Sequence, residues 1–172
     1  MTGTALVIID VQQGIIDLPA FDAGGVLARL ARVLAWARAG GIPVIHVQHE
    51  ETEEGGLVRG TPAWEIHPAV APQPGEPVVA KTECDSFHET TLAAELAARG
   101  AKHLIIGGCQ TDWCVQTTVR RALALGFRVT LLKDAHSTVD SRTETAAQII
   151  DRTNRELAAE GAELRQAEEV AH

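Results

Sequence analysis

Residues 103–138 read HLIIGGCQTDWCVQTTVRRALALGFRVTLLKDAHST, and their order decides the fold class. His103–Gly107 is a short apolar run with LIIGG at its core, as in a strand buried on both faces. Trp113–Leu125 has helical character and stops at Gly126. Phe127–Leu132 (FRVTLL) is extended again.

Outward from this block the same alternation repeats. Upstream, Ala5–Val11 (ALVIIDV) is a continuous, β-branched run. Gly25–Ala39 carries apolar residues at Val26, Leu27, Leu30, Val33, Leu34 and Trp36, the spacing of an amphipathic helix, and Gly40-Gly41 ends it. Pro43–Val47 (PVIHV) and Val78–Lys81 (VVAK) read as strands. Thr90–Arg99 reads as a helix closed by Gly100. Downstream, Thr143–Glu160 is a long helix and Glu163–Ala167 a last edge strand. Strands alternating with helices predict an α/β chain whose mainly parallel sheet is covered on both faces. Residues 1–172 form one domain with no repeat. Glu50–Gly75, rich in Gly, Pro and acid, is a long loop of the functional kind. Its Glu50–Glu54 run reads as a solvated tip.

Composition narrows the partners. Hydrophobic residues make up 45% of the 172, charged residues 22%, and the net charge is −8. Those values suit a globular chain and argue against nucleic acid as a partner. No stretch approaches the roughly 20 apolar residues of a membrane span. MTGTALVIID lacks the basic start of a signal peptide, so a cytoplasmic location is expected. Three cysteines make a disulfide framework improbable there and prompt a search for a reactive thiol.

In parallel sheets ligands gather at the carboxyl ends of the strands. Three reactive groups fall on that predicted edge: Asp10, Lys81 and Cys114. Thr111 and Asp112 can cap a helix starting near Trp113, which puts Cys114 in the first turn, where unpaired N–H groups favour a thiolate and a lowered pKa. Asp10 interrupts an apolar strand end, a costly place for a carboxylate without a task. It suits the general base for Cys114. Lys81 would favour both anions and hold Asp10 in place. Cys84 is the rival nucleophile but has no clear helix start around it. Gln12, His49, Trp64, Phe87 and Trp113 are the pocket candidates. Trp64 reads equally as an anchor for the loop, and Phe87 as core. His46 is expected to be a hydrogen-bonded strand histidine.

ALVIIDVQ, VVAKTECDSF and the block at 103–138 together resemble the isochorismatase-like cysteine hydrolases, a family that includes nicotinamidases and N-carbamoylsarcosine amidase. The resemblance runs from about Ala5 to Thr138 and carries Asp10, Lys81 and Cys114 in the family's order. It implies a three-layer α/β/α domain with a six-stranded sheet and a cis peptide at Cys109–Gln110. It further implies an oxyanion hole from the N–H groups of Gln110 and Cys114, and a homodimer or homotetramer. Metal-binding members carry an Asp-x-His element where this chain reads VQHEETEEGG. Only His67 matches one of their ligand histidines, so neither a metal nor another cofactor is expected. The expected function is a cysteine-nucleophile hydrolase acting on a small amide-type C–N bond. A vinyl-ether hydrolase of the isochorismate type and a non-catalytic binding protein of the same fold are the alternatives. A nucleotide-binding module would need a Gly-rich loop that VQQGIIDLP does not supply.

Overall fold

A computed structural model describes residues 3–52 and 55–172. Six strands form one sheet: β1 (Thr4–Ile9), β2 (Val44–His49), β3 (Val78–Lys81), β4 (His103–Cys109), β5 (Arg128–Ser137) and β6 (Glu163–Arg165). Their spatial order is β3-β2-β1-β4-β5-β6, and each pairing is parallel. The α/β class and the six-stranded parallel sheet expected from the sequence are the ones this chain adopts. Among the described residues, no helix is long and apolar enough to cross a membrane.

The unbroken apolar runs follow from two covered faces. On β1, Ala5, Val7 and Ile9 join one core cluster, and Leu6 and Ile8 join the other. Helices α3 (Leu92–Ala98), α4 (Gln116–Ala124) and α5 (Ala146–Ala159) cover the first face through Leu92, Leu96, Val119, Ala122 and Leu157. Helices α2 (Ala23–Ala39) and α6 (Ala167–Val170) cover the second through Val26, Leu30, Val33, Leu34 and Ala167. A further short helix, α1 (Gln13–Ile16), follows β1 closely.

Strand order places the site. From β1 the chain builds outward to β2 and β3, then returns to lay β4 on the other side of β1. The reversal leaves a crevice beyond the carboxyl ends of β1 and β4. Gly108 permits the close approach there. Its φ is +132°, and a Cβ on it would lie 2.0 Å from the Ile9 carbonyl oxygen.

Several boundaries differ from expectation. β5 runs on to Ser137 although Lys133–Ser137 looks too polar for a strand. Its polar groups find partners instead: Asp134 Oδ1 accepts from the Ala167 N–H at 2.8 Å, and His136 pairs with Asn154. β6 stops at Arg165, and Ala167 begins α6 rather than ending the strand. α5 starts after Thr145, whose hydroxyl and Gln148 form a reciprocal cap. The long loop is not structureless. Gln12 bridges to Ile66, Glu51 to Val58, and Pro68–Val70 makes one tight helical turn. Glu53 and Glu54 of the acidic run lie outside the described residues.

One polar network fastens α2 to the sheet. Glu76 accepts from the Arg38 guanidinium on both oxygens at 2.8 Å and from the Gln73 N–H at 2.8 Å, and its Oε2 lies 3.2 Å from His46 Nε2. Burial works against the Glu76 charge, but these partners overcome it and hold the carboxyl down from 4.5 to about 2. A depressed carboxyl stabilises the fold fully above its unfolded value and loses that contribution as pH falls toward its folded value. Glu76→Gln is therefore expected to cost about 1–3 kcal/mol at neutral pH. Its Tm deficit should shrink steadily as pH drops below 4.5. Thermal unfolding of both proteins across pH 3–7 checks this, and a deficit independent of pH would contradict it.

Candidate active site

Three neighbouring strands each deliver one polar side chain to the same point. Asp10 is the residue after β1, with φ +49°, a left-handed conformation that aspartate tolerates better than most. His49 is the last residue of β2. Lys81 is the last of β3 and lies in register with His49. The Lys81 ammonium reaches past β2 to Asp10 Oδ2 at 2.7 Å, and the two side chains are 0% and 1% exposed. The same nitrogen lies 3.1 Å from His49 Nδ1 and 3.2 Å from Cys114 Sγ. Asp10, Lys81 and Cys114 are thus together, as the sequence predicted, with His49 added to the group.

Cys114 arrives from the far side of the crevice. After β4 the Cys109–Gln110 peptide is cis, and the chain enters a widened helical turn at Thr111–Val115 that leads into α4. The Val115 N–H reaches back to the Gln110 carbonyl at 3.1 Å, one residue further than in an α-helix. Thr111 and Asp112 do not cap this turn, contrary to expectation. Thr111 and His136 Nδ1 lie 2.8 Å apart, and Asp112 Oδ1 accepts from the Thr138 hydroxyl at 2.6 Å. The buried His136 is completed by Asn154 Oδ1 at 3.0 Å, and Asn154 Nδ2 donates to the Lys133 carbonyl. Burial pushes His136 down to about 4, so it stays neutral and its Nδ1 accepts from the Thr111 hydroxyl. His136 was missed in the sequence because it sits in the polar half of β5.

The electrostatics correct a second expectation. Burial raises the Cys114 thiol first, and the Asp10 carboxylate raises it further, against the opposing Lys81 charge. The thiol therefore lies well above an ordinary cysteine rather than below it. Burial also raises the Asp10 carboxyl, with Lys81 pulling the other way. Burial opposes the Lys81 charge, but Asp10 and Cys114 together keep it above the ordinary lysine value. Lys81 is thus the shared partner of the buried Asp10 carboxyl and the Cys114 sulfur. Neither Asp10 oxygen has a partner in hydrogen-bond geometry among the described residues, and Oδ2 is held by the Lys81 ion pair, which leaves Oδ1 with a lone pair to take a proton.

An open cleft of about 410 Å³ leads to this point. Asp10, His49, Gln110, Trp113 and Cys114 line it, and its apolar walls come from Ile15, Leu18, Leu57 and Ala63. Trp113 is 59% exposed at the rim. Three pocket candidates do not line it. Gln12 is fully buried and clamps backbone: its Nε2 donates to the His49 and Trp64 carbonyls, and its Oε1 accepts from the His49 N–H. Trp64 packs under the Arg59 guanidinium of the same loop, 5.6 Å from the ring centre, and its carbonyl accepts from Gln12 and Gln48. Phe87 stacks on Phe127 at 5.9 Å and belongs to the core. Ile15 and Leu18 were missed because α1 is too short to show periodicity. Cys84 also lines the cleft. Cys109 is buried in the core, and burial pushes its thiol up to about 12. His46 faces Glu76, as a strand histidine should, and the His67 ring accepts from the Ala69 N–H. Asp10, His49 and Cys114 each bring a donor-type atom within 4.8 Å of the others, close enough to suit a cation. The ammonium of Lys81 occupies that space.

The isochorismatase-domain family model matches residues 4–167. The chain belongs to the isochorismatase family. It is 41% identical over 140 residues to a streptothricin hydrolase of Streptomyces noursei, an alignment covering 79% of this chain and 50% of the relative. It thus spans about half the length of that protein. A ureidoacrylate amidohydrolase of Variovorax paradoxus is 31% identical over 170 residues, covering 77% of this chain and 68% of the relative. Among solved structures, an isochorismatase from Pseudomonas putida superposes with a TM-score of 0.92 at 32% identity, covering 98% of this chain and 90% of the other. A cysteine hydrolase from Pseudomonas syringae gives the same TM-score at 25% identity, covering 98% and 91%.

The raised thiol has a measurable signature in this isochorismatase-family chain. Iodoacetamide should alkylate Cys114 slowly at pH 7 and faster as pH rises. Asp10→Asn removes the charge that holds the proton on sulfur but leaves Lys81, so labelling of Cys114 at neutral pH should accelerate. Mass spectrometry of the alkylated peptide reads both rates, and slower labelling in the variant would contradict this electrostatic assignment.

Proposed function

We propose that this isochorismatase-family protein is a hydrolase that cleaves a small amide-type C–N bond through a thioester on Cys114. The observation that carries the reading is one ammonium touching both a carboxylate and a sulfur at the floor of a cleft. That arrangement can keep a base ionised while it shares a proton with a nucleophile.

Asp10 takes the Cys114 proton as the sulfur attacks the carbonyl carbon. The carbonyl π pair moves to oxygen. The N–H groups of Gln110 and Cys114, two residues that line the cleft, receive the oxyanion. Asp10 then gives its proton to the leaving nitrogen, the C–N bond breaks and the amine departs. A water loses a proton to Asp10 and attacks the thioester carbon. The second oxyanion collapses, the acid leaves and the sulfur regains its proton from Asp10. Lys81 keeps its charge throughout and steadies each anionic partner. The amide-hydrolysing relatives support the choice of a C–N bond, and the apolar walls at Ile15, Leu18 and Leu57 favour a small substrate with an apolar flank. A homodimer or homotetramer agrees with the family resemblance.

A panel of small amides, lactams, ureido compounds and carbamoyl amino acids, assayed for ammonia or amine release, tests the proposal. Cys114→Ser should lower turnover of any responding compound by at least about 1,000-fold, in line with the loss of an activated nucleophile. A Cys114→Ala protein that keeps full turnover would overturn the thioester route.

A further inference from the structure

We infer that His49 is a positioning residue: as a neutral imidazole it supplies the third acceptor that fixes the Lys81 ammonium between Asp10 and Cys114. The inference deepens the proposed function and rests on that reading for its catalytic consequence, though not for its geometry.

An ammonium has three N–H bonds and no acceptor capacity. Three acceptor atoms stand within reach of Lys81 Nζ among the described residues: His49 Nδ1 at 3.1 Å and Cys114 Sγ at 3.2 Å in hydrogen-bond geometry, and Asp10 Oδ2 at 2.7 Å as an ion pair. Since Lys81 can only donate, Nδ1 must carry a lone pair. The His49 proton is therefore on Nε2, which faces Glu51 Oε1 at 4.0 Å. Sheet geometry makes the contact hard to avoid. Lys81 and Asp10 end strands that are two places apart, and His49 ends the strand between them. The ammonium has to pass over His49 to reach the carboxylate.

The imidazole is itself held. Gln12 accepts from the His49 N–H at 2.9 Å and donates to its carbonyl at 2.9 Å, so the backbone is pinned on both sides. Lysine has a flexible four-carbon stem, and a buried N–H without a partner is costly. Without Nδ1, the ammonium can lean onto the second oxygen of Asp10 and leave the sulfur. Protonating His49 would have a like effect, because it turns a donor toward a donor. The charged groups around the ring are Lys81, Asp10, Glu51 and Glu83; burial, followed by Lys81, keeps the ring below the ordinary histidine value.

The experiment compares His49→Ala with His49→Asn, whose Oδ1 falls near the position of Nδ1 and cannot be protonated in the working range. The first readout is the pH midpoint for iodoacetamide alkylation of Cys114, which needs no substrate. It should move up in His49→Ala, as the sulfur loses the ammonium, and return toward the parent in His49→Asn. The second is steady-state kinetics on any amide that responds. His49→Ala should lower kcat about 100-fold with little change in KM. His49→Asn should recover most of that loss and lack the parent's acid limb. Nitrogen-15 spectra of histidine-labelled protein should show His49 in the Nε2–H form at neutral pH, assigned by its disappearance in His49→Asn. An unshifted alkylation midpoint in a folded His49→Ala protein would overturn the inference, as would an Nδ1–H tautomer. If Cys114→Ala stays active while the midpoint still moves, the thioester route fails and the role of His49 in placing Lys81 stands.

Discussion

The carboxylate of Asp10 and the ammonium of Lys81 meet 2.7 Å apart, with neither side chain more than 1% exposed. Ion pairs of this kind are weak stabilisers, because two desolvated charges must recover in attraction what they lost in hydration. A hydrophobic pair would fill the same space at little cost to the fold. The charges make sense through their third partner, the Cys114 sulfur, whose proton both of them influence in opposite directions. Every other feature of the site serves to bring that sulfur within range.

Topology does most of this work. Reversal of strand order between β1 and β4 opens a crevice, and the chain's reactive groups stand on its two sides. Asp10, His49 and Lys81 end consecutive strands on one side. Cys114 reaches them from the turn that follows β4. That turn is held from behind by Thr111 and His136, with Asn154 of α5 completing the line. A residue with no exposure to the cleft thus fixes the element that carries the sulfur.

The strands that shape the site were legible because burial on both faces forces continuous apolar runs, and because a carboxylate or lysine at the end of such a run is conspicuous. Asp10 and Lys81 stood out for that reason and Cys114 through the helix start expected around it, while His49 and Trp113, read as pocket candidates, line the cleft. What one chain of letters withholds is the direction of a side chain. Gln12, two residues beyond Asp10, looked like pocket and is a buried clamp. Phe87 points to Phe127 and the core. The turn at Thr111–Val115 misled for a different reason. Threonine and aspartate are good caps in isolation, but here Thr138 and His136, distant in sequence, claim their side chains. The depressed thiol pKa expected of a helix start failed likewise, since burial, and after it the carboxylate beside the sulfur, raises the thiol. His136 itself was hidden by polarity, in a stretch whose partners come from α5 and α6.

Gln12 has a consequence for how this scaffold can diversify. One amide side chain ties His49, where the loop departs, to Trp64, where it returns, and Gln48 adds a second tie to the same Trp64 carbonyl. Residues between those anchors, Leu57 and Ala63 among them, form part of the cleft wall. The span is closed at its base, so its length can drift at small entropic expense without disturbing the strand ends beneath. Insertions or deletions there can remodel what the crevice admits while the reacting groups keep their places. Selectivity and reactivity are therefore separable traits in this architecture, open to change one at a time.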